Sequence, residues 1–187
     1  MATRRESLVT TLAAAALPPA LMANPRDARP SLQVISETLC PDGNAFSQSC
    51  GGAAEALEHD PAALLFALEA ALSAGTIGAV VGLTRPSTRF LIEQCAARYG
   101  CFPSYHAHHR YSSDTLVHEL HAAPAVNMRI KRRLLHKPRY WARTLADSFD
   151  VMATTGGLQE TLTLRVPVSD DGQSRHLVSW MLQRFPA

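Results

Sequence analysis

The sequence predicts an α/β (α+β) domain: a two-layer sandwich with a mixed sheet, in which a crossover βαβ unit lies beside two antiparallel hairpins. Three observations predict it. Helical apolar spacing alternates with short β-branched runs through residues 31–100, the order that a crossover connection requires. Residues 101–121 alternate in polarity on either side of Ser112-Ser113. Residues 161–182 do the same on either side of Ser169-Asp170-Asp171-Gly172.

Taken in order, Leu32–Ser36 reads as a strand, and Cys40–Gly52, rich in Gly, Ser, Asn and Pro, as a loop. Ala53–His59 suggests a short helix. Pro61–Ala74 is a stronger one, started by Asp60-Pro61 and stopped at Gly75. Thr76–Val81 collects β-branched residues and reads as a buried strand. Together, residues 61–83 are long enough to be weighed as a membrane span, but the break at Gly75 favours helix plus strand. Phe90, Leu91, Gln94, Cys95 and Arg98 then follow helical spacing up to Gly100. After the hairpin at 101–121, Ala125–Met152 forms a helical stretch broken at Pro138. Leu134, Pro138, Trp141, Leu145 and Phe149 make its apolar stripe, and Gly156-Gly157 closes it. The last hairpin runs Leu162, Leu164, Val166 and Val168 outward and Val178, Trp180 and Leu182 back. There is no internal repeat.

The N-terminus carries a different signal. Arg4 and Arg5 precede a mildly apolar Ala-rich stretch that ends in small Ala23, the three parts of a secretory leader. Thr3, Arg4, Arg5 and Leu8 resemble the twin-arginine export signal, with Ser7 standing where an apolar residue is usual. Pro18-Pro19 argues against an amphipathic helix of a cytosolic protein. The resemblance implies a chain that folds before export and works in the periplasm or otherwise outside the cytoplasm. Residues 1–23 are then the leader, 24–30 a linker and 31–187 one domain.

Loss of Arg4, Arg5 and Glu6 leaves a net charge of about +1, so overall charge selects no partner. Four cysteines, Cys40, Cys50, Cys95 and Cys101, suit an oxidising compartment. Their spacing suggests local bridges Cys40–Cys50 and Cys95–Cys101, two of the pairings that four cysteines allow. No Cys-x-x-Cys pair is present to hold a metal.

Five of the eight histidines fall between His106 and His121. Pairing Tyr111 with Asp114 across a two-residue turn puts Tyr105, Ala107, His109 and Tyr111 on the face of Leu116, His118 and Leu120. The other face then carries His106, His108, Arg110, Val117, Glu119 and His121. This register sets His106 opposite Glu119, with His108 and His121 diagonal. Three imidazoles and a carboxylate so placed suit a transition metal such as zinc or copper. Against it, side chains on a flat sheet diverge, and Arg110 repels a cation. The plainer reading is a solvated polar face, with His109 and His118 satisfied near the core. His118-Glu119-Leu120-His121 lacks the spacing of the helical metalloprotease motif.

Thr84, Arg85, Ser87 and Arg89 lie where a strand hands over to a helix, a place suited to a carboxylate or phosphate. Simple helix capping by Thr84 or Ser87 accounts for the same hydroxyls. From His121 to Leu145 there is no acidic residue, while Arg129, Lys131, Arg132, Arg133, Lys137, Arg139 and Arg143 are basic. That run fits a solvated face, then another periplasmic protein, then an anionic membrane surface; export argues against nucleic acid. Three function classes follow. The leading one is an exported noncatalytic binding or accessory protein. The others are a metal-binding protein using the histidine hairpin and a small enzyme with an anion site at Arg85–Arg89.

Overall fold

The computed structural model describes residues 31–37, 39–50, 53–56, 61–112, 114–149, 159–168 and 175–184. The leader, the linker, the Gly156-Gly157 stop and the Ser169–Gly172 turn lie outside the described residues.

The elements run β1 (Ser31–Ser36), α1 (Pro41–Ser49), β2 (Ala53–Ala56), α2 (Pro61–Ser73), β3 (Ile77–Thr84), α3 (Pro86–Ala97), β4 (Cys101–Ser112) and β5 (Thr115–Ala122). There follow α4 (Pro124–His136), a 3-10 turn (Pro138–Tyr140), α5 (Trp141–Ala146), β6 (Glu160–Pro167) and β7 (His176–Arg184). The strands form one seven-stranded mixed sheet in the order β2-β1-β3-β7-β4-β5-β6. β1 pairs parallel with β2 and β3, and every pair from β3 through β7 to β6 is antiparallel.

The α/β class and the mixed sheet match the sequence reading, with crossovers from β1 to β3 and from β3 to β4. Four local expectations are corrected. Cys40–Gly52 is not a loop throughout, because 41–49 is helical. Pro41 sits in its first turn, and the Cys40 side chain accepts from the Gly43 amide as N-cap. Phe46 anchors this helix edge-on against Phe149 at 5.5 Å. Gly43 lies so close to the Glu37 carbonyl that no Cβ fits there. Second, Ala53–Ala56 is an edge strand, since pairing with β1 overrides its helical composition. Third, the strand read as Thr76–Val81 extends to Thr84, and α3 opens at Pro86. Fourth, β6 does not turn back onto β7. β6 pairs with β5 at the sheet edge, and β7 inserts between β3 and β4.

Two apolar clusters lie on opposite faces of the sheet. α1, α4 and α5 cover one face, where Val81, Leu120, Leu164 and Met181 meet Ile130, Leu134, Trp141 and Leu145. Of the predicted stripe, Leu134, Trp141, Leu145 and Phe149 are buried there, whereas Pro138 is only half-buried. α2 and α3 cover the other face only over the first half of the sheet, packing Leu68, Leu72 and Ile92 against Ile35, Val80 and Trp180. Over β4, β5 and β6 the sandwich is two-layered, and the second face carries half-buried or exposed polar side chains. Among the described residues, no helix is long and apolar enough to cross a membrane.

In this structure all four cysteines are free thiols, and neither expected bridge is present. Cys40 and Cys50 flank the nine-residue α1. A helix of that length rises roughly 13 Å, well beyond the ~7 Å that a disulfide spans between Cα atoms. Cys95 and Cys101 share one apolar cluster, but their sulfurs interact with Arg98 and Arg184 respectively. Burial pushes the Cys50 thiol up to about 12 and raises Cys40 and Cys101, which keeps them protonated and unreactive.

Candidate metal centre

The β4–β5 hairpin segregates its side chains as alternation predicts, but its register differs. His106 pairs with His121, His108 with Glu119, and Tyr111 with Leu116. The expected pairing of Tyr111 with Asp114 is therefore shifted by two residues. A shift of two preserves faces, since side chains alternate with period two. Ser112 pairs with Thr115, and the Asp114 carbonyl accepts from the Val168 amide, tying this end of the hairpin to the end of β6. The consequence for the site is direct: His106 faces another histidine instead of a carboxylate.

Three of the four expected ligands come together. His106, His108 and His121 each offer a ring nitrogen, and these atoms lie within 4.8 Å of one another. The His106 and His121 rings stack at 4.4 Å, and His108 meets both edge-on at 5.8 and 6.0 Å. Glu119 stands beside the trio. Its Oε1 is 3.2 Å from His121 Nε2, and its Oε2 accepts from Arg110 Nη1 at 2.9 Å. Arg110 thus pairs with Glu119, although its charge still acts on neighbouring His108.

Neighbours orient the rings. Thr161 Oγ1 lies 3.0 Å from His121 Nδ1, and His176 Nε2 lies 3.0 Å from His108 Nδ1. Such outer contacts select the tautomer and turn the other nitrogen toward a ligand. His106 Nδ1 is buried and has no hydrogen-bond partner. Burial, then the Arg89 guanidinium and the neighbouring imidazoles, push His106 down to about 3. Burial, followed by His176 and Arg110, pushes His108 down to about 4. Both rings are therefore neutral at pH 7, the form that binds metal.

The other face of the same hairpin holds a second histidine set. His109 and His118 are fully buried, and their Nδ1 atoms are 2.7 Å apart. His109 Nε2 lies 2.8 Å from Ser179 Oγ, which in turn lies 3.0 Å from the Tyr105 hydroxyl. Trp141 covers both rings, and its Nε1 donates to Tyr111, whose hydroxyl donates to Asp42. Ser179, His109 and His118 have the connectivity of nucleophile, base and orienting group, a set that sequence reasoning missed because 70 residues separate Ser179 from His109. Ser179 is wholly buried and shares its hydroxyl with Tyr105, so no substrate reaches it. Burial and the neighbouring His118 also hold His109 well below its ordinary value, too low for an effective base. The pair lies in the core, as the sequence reading placed it, but it is not fully satisfied there, because His118 Nε2 is buried with no hydrogen-bond partner.

The expected anion site does not assemble. Thr84 is buried, accepts from Trp180 Nε1 at 2.9 Å and donates to the Arg85 carbonyl. Arg85 is the N-cap residue of α3 with no side-chain cap, and its guanidinium lies 3.8 Å from Glu37. Ser87 is exposed. Arg89 turns away from Arg85, pairs with Glu93 at 3.2 Å and adds its charge to the histidine face. The two guanidiniums are held by different carboxylates, Arg85 by Glu37 and Arg89 by Glu93, and do not converge on one anion. Comparison of the chain with protein-family models, with curated proteins and with solved structures finds no match.

Proposed function

We propose that this chain is an exported, noncatalytic accessory protein that binds a transition metal through His106, His108 and His121. The observation that carries the reading is the convergence of three ring nitrogens within 4.8 Å on one sheet face. A tetrahedral ion with bonds of ~2.0–2.1 Å needs its ligand nitrogens roughly 3.3 Å apart, so small ring rotations bring this trio onto one ion. The donor set is all imidazole, which suits zinc, copper(II) or nickel. Glu119 Oε1 is placed to take a fourth position or to hydrogen-bond a metal-bound water. The protonated thiols of buried Cys40 and half-buried Cys50 are poor candidates for soft ligation.

Equilibrium dialysis of the purified chain against Zn²⁺, Cu²⁺ or Ni²⁺, followed by elemental analysis, tests the site. One equivalent retained by the wild type and lost by His106→Ala/His108→Ala supports it. Equal retention by both proteins, or none by either, rejects it. Export rests on the leader's resemblance and has its own test: intact mass of the protein from a periplasmic fraction. A chain beginning near Asn24 supports export, and a full-length cytosolic chain rejects it.

A further inference from the structure

The basic stretch runs through α4, the 3-10 turn and α5, and most of its cations are exposed. On α4, Val126, Asn127, Ile130 and Leu134 point into the core. The opposite stripe therefore carries Met128, Arg132 and Leu135 at helical spacing, flanked by Arg129. Lys137, Arg139, Tyr140 and Arg143 continue it along the 3-10 turn and α5, all of them exposed. Of the seven cations in the stretch, Arg133 is used internally, donating to the Asp147 carbonyl and to Ser148 Oγ at 2.8 Å each. Among the described residues, none of Arg129, Arg132, Lys137, Arg139 and Arg143 forms a salt bridge. No acidic side chain lies between Glu119 and Asp147.

Charge alone would suit any polyanion. Three large apolar side chains set among these cations narrow the choice: Met128 is 44%, Leu135 52% and Tyr140 60% exposed. An acidic polypeptide or a nucleic acid backbone would neutralise the arginines and leave these side chains against polar groups. An anionic bilayer satisfies both. Cationic side chains meet the headgroups, while Met128 and Leu135 enter the acyl boundary and Tyr140 lies at the interface. We infer that the α4–α5 face docks this protein peripherally on an anionic lipid surface, independently of the metal site on the opposite side of the sheet.

Sedimentation of the full chain with vesicles tests this, using about one-third phosphatidylglycerol in phosphatidylcholine against phosphatidylcholine alone. Binding is expected only to the anionic vesicles. Each surface cation near such a membrane contributes about 1 kcal/mol, so Arg132→Gln/Arg139→Gln should weaken partitioning about thirtyfold. Leu135→Ser/Tyr140→Ser should also weaken it several-fold, while far-UV circular dichroism stays unchanged because both sites are exposed. No binding to anionic vesicles overturns the inference. So does wild-type vesicle binding by the Leu135→Ser/Tyr140→Ser variant. Poly-glutamate that binds as well as the vesicles, insensitive to that variant, assigns the face to an acidic polypeptide instead.

Discussion

Lowering the pH from 7 to 4.5 protonates histidines in the unfolded chain, where imidazole titrates near 6.5. Folding holds His118 at about 3 by burial, and His109 is displaced in the same direction. The facing Nδ1 atoms at 2.7 Å share one proton, and a second would break that bond inside the core. Between pH 6.5 and about 3 the unfolded state therefore binds more protons than the folded state. Stability is fully present above the unfolded value and falls as pH falls toward the folded one. At pH 4.5, two units below 6.5, His118 alone accounts for a loss of about 3 kcal/mol. Urea denaturation in the presence of a chelator, at half-unit steps from pH 7 to 4.5, measures this loss. Trp141, packed on both rings, supplies the fluorescence signal. His118→Leu removes one titrating group, so its slope of stability against pH should be shallower by up to about 1.4 kcal/mol per unit. A flat wild-type profile over this window, or an unchanged slope in the variant, would refute the argument.

Other perturbations are read more simply. A Cβ at Gly82 would overlap the Trp180 ring and stand 2.9 Å from the Ile35 carbonyl oxygen. Gly82→Ala should therefore cost about 1–3 kcal/mol or more by overpacking, seen as a lower urea midpoint; a wild-type midpoint would count against the packing described. Thr84→Val strands the buried Trp180 Nε1, with an expected loss of about 1–3 kcal/mol that Thr84→Ser largely restores. Thr161→Val removes the group that orients His121 and should weaken metal affinity about 10–100-fold in competition with a chelating dye. Full affinity in that variant would show that Thr161 does not position the ligand.

Alternation alone separates the two histidine sets, because period two survives any even shift of register. That is why His106, His108 and His121 could be assigned to one face and His109 and His118 to the other. The register itself was not legible. β4 and β5 are held between β7 and β6, so their alignment is set by four strands and not by their own turn. Residues 41–49 read as a loop because Gly, Asn and Ser have weak helical propensity; Phe46 and the Gly43 contact, both tertiary, make them helical. The central place of β7 was visible in one respect. Leu177, Val178, Trp180, Met181 and Leu182 form an apolar run broken only by Ser179, the composition of a strand buried on both faces. Reading only Val178, Trp180 and Leu182 as alternation led to an outer hairpin.

The insertion of β7 between β3 and β4 also orders events in time. Without it, β2-β1-β3 and β4-β5-β6 are two separate three-stranded pieces that share no ladder. The bonds that join them reach from Ala79 to Gln183 and from Cys101 to Arg184, so the sheet closes only across about a hundred residues of chain. Closure over such separations is slow, and a nascent chain cannot complete it until Arg184 has left the ribosome. Until then both inner strand edges lie open to other chains. A protein built in this way depends on its surroundings most in the interval just after synthesis, and loss of β7 would divide its sheet in two.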